Sequence, residues 1–100
     1  MPSRNTAYFK EVSDTLNKKH GVVCDKALPG YGRGMNWLYI PGPDGKPAPH
    51  PDTHGRQGHR RHRQKWFKAR DGDEVSAEEI RDICEDLGVD HLTTFPDFFD

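Results

Sequence analysis

Apolar residues recur along this chain at two spacings, and the switches between them mark out its elements. Over 5–20, "NTAYFKEVSDTLNKKH", Phe9, Val12 and Leu16 fall at helical intervals with Tyr8 beside them, which predicts a first helix. Asn5 or Thr6 can cap its start and Gly21 stops it. "VVCDKAL" then roughly alternates and is rich in β-branched residues, so it reads as a strand. "PGYGRG" breaks it, and "MNWLYIP" reads as a second strand returning in a hairpin. Its alternation sends Trp37 and Tyr39 to one face and Leu38 and Ile40 to the other. In "HRRHRQKWFKAR" a helix would have almost no apolar face, so a third strand from about Gln64 is the better reading. Trp66, Lys68 and Arg70 then face one way, and Lys65, Phe67 and Ala69 the other.

The second helix carries the clearest local signals. Ser76 is the N-cap, Glu79 completes a capping box, and Val75 is placed to staple onto Ile80. Ile80, Ile83, Cys84 and Leu87 form the apolar stripe, and Gly88 followed by Val89 supplies the stop. Between the second and third strands, 42–58 holds four prolines and four glycines in seventeen residues, a density that predicts a long loop without regular structure. The last residues, "HLTTFPDFFD", look extended.

The fold class expected is α+β in α-β-β-β-α order: a small three-stranded antiparallel sheet with two helices on one face. Residues 1–90 form one small domain with a long Pro/Gly/His loop, and 91–100 form an acidic, aromatic tail. The order is shared with double-stranded-RNA-binding domains and with some small toxins of toxin–antitoxin pairs. HicA-like RNA-cleaving toxins place a catalytic His after a glycine at the start of the hairpin strand. In "GMNWLY" that position is Asn36, and membership is not assigned.

Composition bounds the class. One hundred residues make one domain, and Leu, Ile, Val and Phe total only eighteen, so the core must be small. The N-terminal residues lack the apolar run of a secretory signal, and no stretch approaches the roughly 18 apolar residues of a membrane helix. Two cysteines 60 positions apart with no signal peptide point to a reducing, cytoplasmic setting without a disulfide.

Charge changes the picture most. The net charge is only −1, yet 55–70, "GRQGHRRHRQKWFKAR", holds seven Lys/Arg and no acid, while 71–100 holds eleven acids and one Arg. A basic run interleaved with aromatics is the footprint of nucleic-acid binding, RNA or DNA. Its candidate contact residues are Arg56, His59, Arg60, Arg61, His62, Arg63, Lys65, Trp66, Lys68 and Arg70. Arg forks suit phosphate oxygens, Trp66 or Phe67 could stack on an unpaired base, and His59 and His62 add charge below about pH 6.5. The competing reading pairs these cations with the acidic helix of the same domain, or uses them to protect a sheet edge.

The second candidate surface is acidic. Glu78, Asp82, Glu85 and Asp86 line the exposed side of the second helix, and the last two oppose its dipole. With Phe95, Phe98 and Phe99 of the tail they form an alternative protein-interaction surface for an inhibitor or assembly factor. The plainer expectation for the Phe residues is that they pack back on the core.

An enzyme is not indicated. No Ser, Cys or Thr stands in a recognisable catalytic motif, and "PGYGRG" lacks the Gly-Lys-Ser/Thr of a phosphate loop. His50, Asp52, His54, His59 and His62 could ligate a metal, but paired cysteines are missing and neighbouring cations oppose a dication. Lys68 and Arg70 occupy ligand positions of the nearest calcium-loop alignment, which removes the necessary charge. No cofactor or metal is expected.

Overall fold

The computed structural model describes residues 6–26, 34–51 and 61–99. Their order is β1 (Thr6–Tyr8), α1 (Phe9–His20), β2 (Val23–Lys26), β3 (Met35–Tyr39), β4 (Gln64–Lys68), β5 (Glu74–Ser76), α2 (Ala77–Leu87) and α3 (His91–Thr94). β2, β3 and β4 make a three-stranded antiparallel sheet with β3 central, while β1 and β5 make a separate antiparallel pair. The chain is thus an α+β domain with one small sheet more than its periodicity suggested.

That extra pair shortens α1. The apolar spacing placed the helix start near Asn5, but Thr6–Tyr8 are strand and the N-cap is Tyr8, with no side-chain cap bond. Ala7 sits opposite Val75, and both are buried. The first-turn amides find backbone acceptors instead, Phe9 N–H donating to Asp73 O at 2.9 Å and Lys10 N–H to Asp71 O at 3.1 Å. The 71–73 turn therefore does the work of a capping side chain.

α2 follows its sequence signals closely. Ser76 Oγ accepts from Glu79 N–H, and Glu79 Oε1 accepts from Ser76 N–H, both at 3.1 Å. Gly88 ends the helix in the left-handed region (φ 73°), and Val89 N–H donates to Cys84 O as the Schellman pattern requires. Phe9, Val12 and Leu16 of α1 share one buried cluster with Ile80, Ile83, Cys84 and Leu87 of α2. Leu38 of β3 belongs to the same cluster, and Phe67 of β4 packs against it with its ring 5.8 Å from that of Phe9.

The tail is not extended. Asp90 caps α3 through Leu92 N–H, and the chain turns so that Phe95 and Phe98 enter the core. Thr94 is buried between His20, whose Nε2 lies 2.8 Å from its hydroxyl, and Lys19, whose Nζ donates to its carbonyl at 2.6 Å. Aromatic burial outweighs the local charge of the segment, and the enlarged core offsets the shortage of aliphatic residues.

The described part of the Pro/Gly loop is also ordered. In "KPAPHP" (46–51) the prolines alternate with residues that keep an N–H. Ala48 N–H donates to Ile40 O at 2.8 Å, His50 N–H to Arg61 O at 3.0 Å, and Ala48 O accepts from Arg63 N–H at 2.8 Å. Prolines are tolerated in a paired stretch when they fall where no donor is needed. Bridges Pro41–Pro47 and Pro49–His62 fix this arm beside the chain entering β4.

Candidate functional site

The strand period divides the basic block into two sets with different jobs. Arg61, Arg63 and Lys65 turn toward the C-terminal end of α2. Asp86 pairs with Arg61 at 3.3 Å and with Lys65 at 2.9 Å. Arg63 donates from Nε to Leu87 O at 2.9 Å and from Nη2 to Gly88 O at 2.8 Å. His50, buried in the adjoining arm, places Nε2 2.7 Å from Glu85 O; because a carbonyl only accepts, that nitrogen carries the proton. The last turn of α2 thus receives donors and cations at the negative end of its dipole, which answers the apparent misplacement of Glu85 and Asp86.

His62, Gln64, Trp66, Lys68 and Arg70 belong to the other set. His62, Trp66, Lys68 and Arg70 are exposed, and Gln64 is half-buried. Among the described residues, no acid pairs with the side chains of His62, Lys68 or Arg70. Arg56, His59 and Arg60 lie outside the described residues, as do Asp52 and His54 of the metal-ligand run.

Trp66 does not stand alone. It lies opposite Trp37 in the β3–β4 register, with ring centroids 5.5 Å apart and planes 12° from parallel. Tyr39, two residues along β3, stacks on the other indole at 4.3 Å and 29°. Trp37 Nε1–H donates to Gln64 Oε1 at 3.1 Å. The result is an aromatic strip on the sheet face opposite Leu38 and Phe67, with Trp66 39% exposed at its β4 side. Lys68 sits opposite Met35 at one end of the strip. Asp25, opposite Trp37 on β2, puts a carboxylate on the far side. The face is therefore polarised, basic along β4 and acidic along β2.

Sequence reading named Trp66 and missed its partners. Trp37 and Tyr39 were placed together on one face, but the register that brings Trp66 beside them is set by a connection of more than twenty residues. Phe67, the other proposed stacking residue, faces the core. Asn36 is also structural: it is 1% exposed, and its Nδ2 lies within 2.8–3.0 Å of the carbonyls of Gly34, Phe67 and Ala69. It ties β3 to β4 where the toxin family would carry a catalytic His.

On the acidic side, Glu78, Asp82 and Glu85 are exposed, while Asp86 is engaged by Arg61 and Lys65. Phe95 and Phe98 are buried, and Phe99 is half-buried with its ring 4.6 Å from that of His91. Cys24 and Cys84 are both free. Burial pushes the Cys84 thiol up to about 12, with Asp90 adding to the effect, and burial raises Cys24 too. Among the described residues no three metal-binding side chains converge, and no helix is long and apolar enough to cross a membrane.

Comparison with known protein families, curated proteins and solved structures finds no match.

Proposed function

We propose that this is a small non-catalytic module that binds single-stranded nucleic acid across the outer face of its three-stranded sheet. In this reading α1 and α2 cover one face and leave the other for ligand. The observation that carries it is the Trp37–Trp66 stack with Tyr39 beside it, bordered by exposed cations on the β4 side. Bases have a π-face whatever their sequence, so such a strip stacks them without needing a motif. Phosphates follow the β4 side, near Lys68, Arg70 and His62, because Asp25 repels them from the β2 side. Duplex is the poorer ligand, since its bases are already stacked and paired. The cations turned onto α2 act as scaffold in this reading, and those turned outward as contacts. Two free cysteines fit a cytoplasmic setting.

The test uses the protein's only two tryptophans, Trp37 and Trp66, as reporters. Titration with short single-stranded DNA or RNA should quench their emission, and binding should weaken steeply between low and moderate salt. Duplex of equal length should bind less tightly. Unchanged emission together with flat fluorescence anisotropy at low salt would discard the reading.

A second reading keeps one supporting observation. Glu78, Asp82 and Glu85 form an exposed acidic row along α2, which suits a basic protein surface. The buried Phe95 and Phe98 offer it no anchor. Pull-down sensitivity to Glu78→Lys and Asp82→Lys, with Trp66→Ala silent, would favour it.

A further inference from the structure

Arg61 and Lys65 both reach one carboxylate, and they take different oxygens of it. Arg61 Nη2 lies 3.3 Å from Asp86 Oδ1, and Lys65 Nζ lies 2.9 Å from Asp86 Oδ2. Two cations against one acid leave a surplus of positive charge. None of the three side chains is buried: Arg61 is 38% exposed, Lys65 27% and Asp86 39%. They border an open cleft of about 450 Å³, which His62 also lines. The negative end of α2 is already covered nearby, because Arg63 donates to the carbonyls of Leu87 and Gly88 and His50 to that of Glu85. An anion in the cleft therefore meets cations rather than bare carbonyls.

We propose that Arg61 and Lys65 form a latent site for a backbone phosphate of nucleic acid, and that Asp86 is its built-in competitor. The inference rests on the phosphate-contact part of the reading above and needs no base stacked on Trp66. A carboxylate that bridges a guanidinium and an ammonium offers them oxygens as a phosphate does. It holds them weakly, since partly exposed ion pairs are worth only a few-fold in an equilibrium constant. Asp86 also stands in the last turn of α2, where an acid opposes the helix dipole, so its carboxylate is easily displaced. Arg63 has no such exchange open to it, because its bonds run to main-chain carbonyls. It remains scaffold, while Arg61 and Lys65 are scaffold only as long as Asp86 keeps them. With the acid in place, what Lys65 gains from a phosphate it loses from Asp86. Without the acid, the whole contact goes to the ligand.

The experiment measures labelled oligo(dT) by fluorescence anisotropy and inorganic pyrophosphate by titration calorimetry. It compares wild type, Asp86→Asn, Lys65→Ala and the double variant. Asp82→Asn is the control, since it removes the same charge from an exposed position one turn earlier in α2. All variants should keep the near-ultraviolet circular dichroism of wild type, because the exchanged groups are partly exposed. Asp86→Asn should bind oligo(dT) roughly two- to fivefold more tightly, with a salt slope steeper by about one phosphate contact. Asp82→Asn should gain clearly less. Lys65→Ala should change affinity little in the wild-type background and cancel most of the gain in Asp86→Asn. A general charge effect does not produce that coupling. Equal gains in Asp86→Asn and Asp82→Asn, or additive effects of Lys65→Ala, overturn the latent site and leave the nucleic-acid reading standing. Tighter pyrophosphate binding by Asp86→Asn, with oligo(dT) bound by none of the proteins, keeps a phosphate site and overturns that reading. Binding of neither ligand by any of them overturns both.

Discussion

Trp37 and Trp66 face each other across β3 and β4 at one register position, nearly parallel and 5.5 Å apart. Aromatic cross-strand pairs stabilise a sheet by a few tenths of a kcal/mol to about 1 kcal/mol, so this one contributes to the fold as well as to the surface. Its placement on the face away from Leu38 and Phe67 is what the proposed binding reading draws on. The two roles separate by magnitude.

Trp66→Ala should therefore lower stability by no more than about 1 kcal/mol, because Trp66 is already substantially exposed. Oligonucleotide affinity should fall by roughly five- to 150-fold, the loss of one stacked base at about 1–3 kcal/mol. Urea denaturation and anisotropy on the same samples give both numbers. Equal affinity for the variant and wild type would remove the strip from the binding account.

The division of the basic block makes an opposite pair of expectations. Arg63→Ala removes two guanidinium bonds to the end of α2 and should cost roughly 1.5–3 kcal/mol, with an unchanged denaturant slope. Lys68→Ala and Arg70→Ala should stay within about 0.5 kcal/mol of wild type in stability. Each should instead reduce the salt dependence of binding by about one phosphate contact. If Arg63→Ala proved as stable as wild type, the scaffold role given to the inward cations would be wrong.

The two long helices and the three-strand unit were legible because their signals are local. Ser76 with Glu79, Gly88 with Val89, and the alternation through "MNWLY" and "QKWFK" each declare themselves within a few residues. What stayed hidden depends on pairings remote in sequence. Nothing near Thr6 announces Ser76 as its strand partner, and nothing near Phe9 announces that Asp73 will accept from its amide. The tail misled because its acids and Pro96 look like exposed chain, while Asp90 and three Phe residues arrange a short helix and a turn onto the core. The basic block was visible as charge, and its period-two partition was available in principle. Knowing that the odd side meets Asp86 and the end of α2 required the packing itself.

Gly88 offers a test of how tightly the Pro-rich arm seats on α2. A Cβ there would lie 2.7 Å from Pro51 Cδ and 3.1 Å from His50 Nε2, on a backbone at φ 73°. Gly21 has nearly the same conformation, φ 69°, and nothing within 4 Å. Gly21→Ala should cost about 1 kcal/mol for conformation alone. Gly88→Ala should cost about 1–3 kcal/mol more, because Pro51 and His50 must move off the helix end. Equal unfolding midpoints for the two variants would show that the arm yields freely and that the His50 bond to Glu85 contributes little.

The contact between α1 and α3 should make stability depend on pH. His20 has its pKa held below the usual 6.5, chiefly by burial, with the positive charges of Arg63 and Lys19 acting in the same direction. In the unfolded chain the imidazole titrates at about 6.5, so between that value and the lower folded one the unfolded state binds more protons. Stability from this group is therefore complete above about pH 6.5 and declines as the pH falls through the folded value. The sign is opposite to that of a histidine that gains an acidic partner on folding. Protonation places a third positive charge beside Lys19 and Arg63 and weakens the seat of Thr94 that holds α3. Urea midpoints should fall between pH 7.5 and pH 5 in wild type and fall less in His20→Gln, whose amide can still meet the Thr94 hydroxyl without taking up charge. A variant that loses stability in acid as steeply as wild type would place the responsible group elsewhere, with the carboxylates the next to be tested.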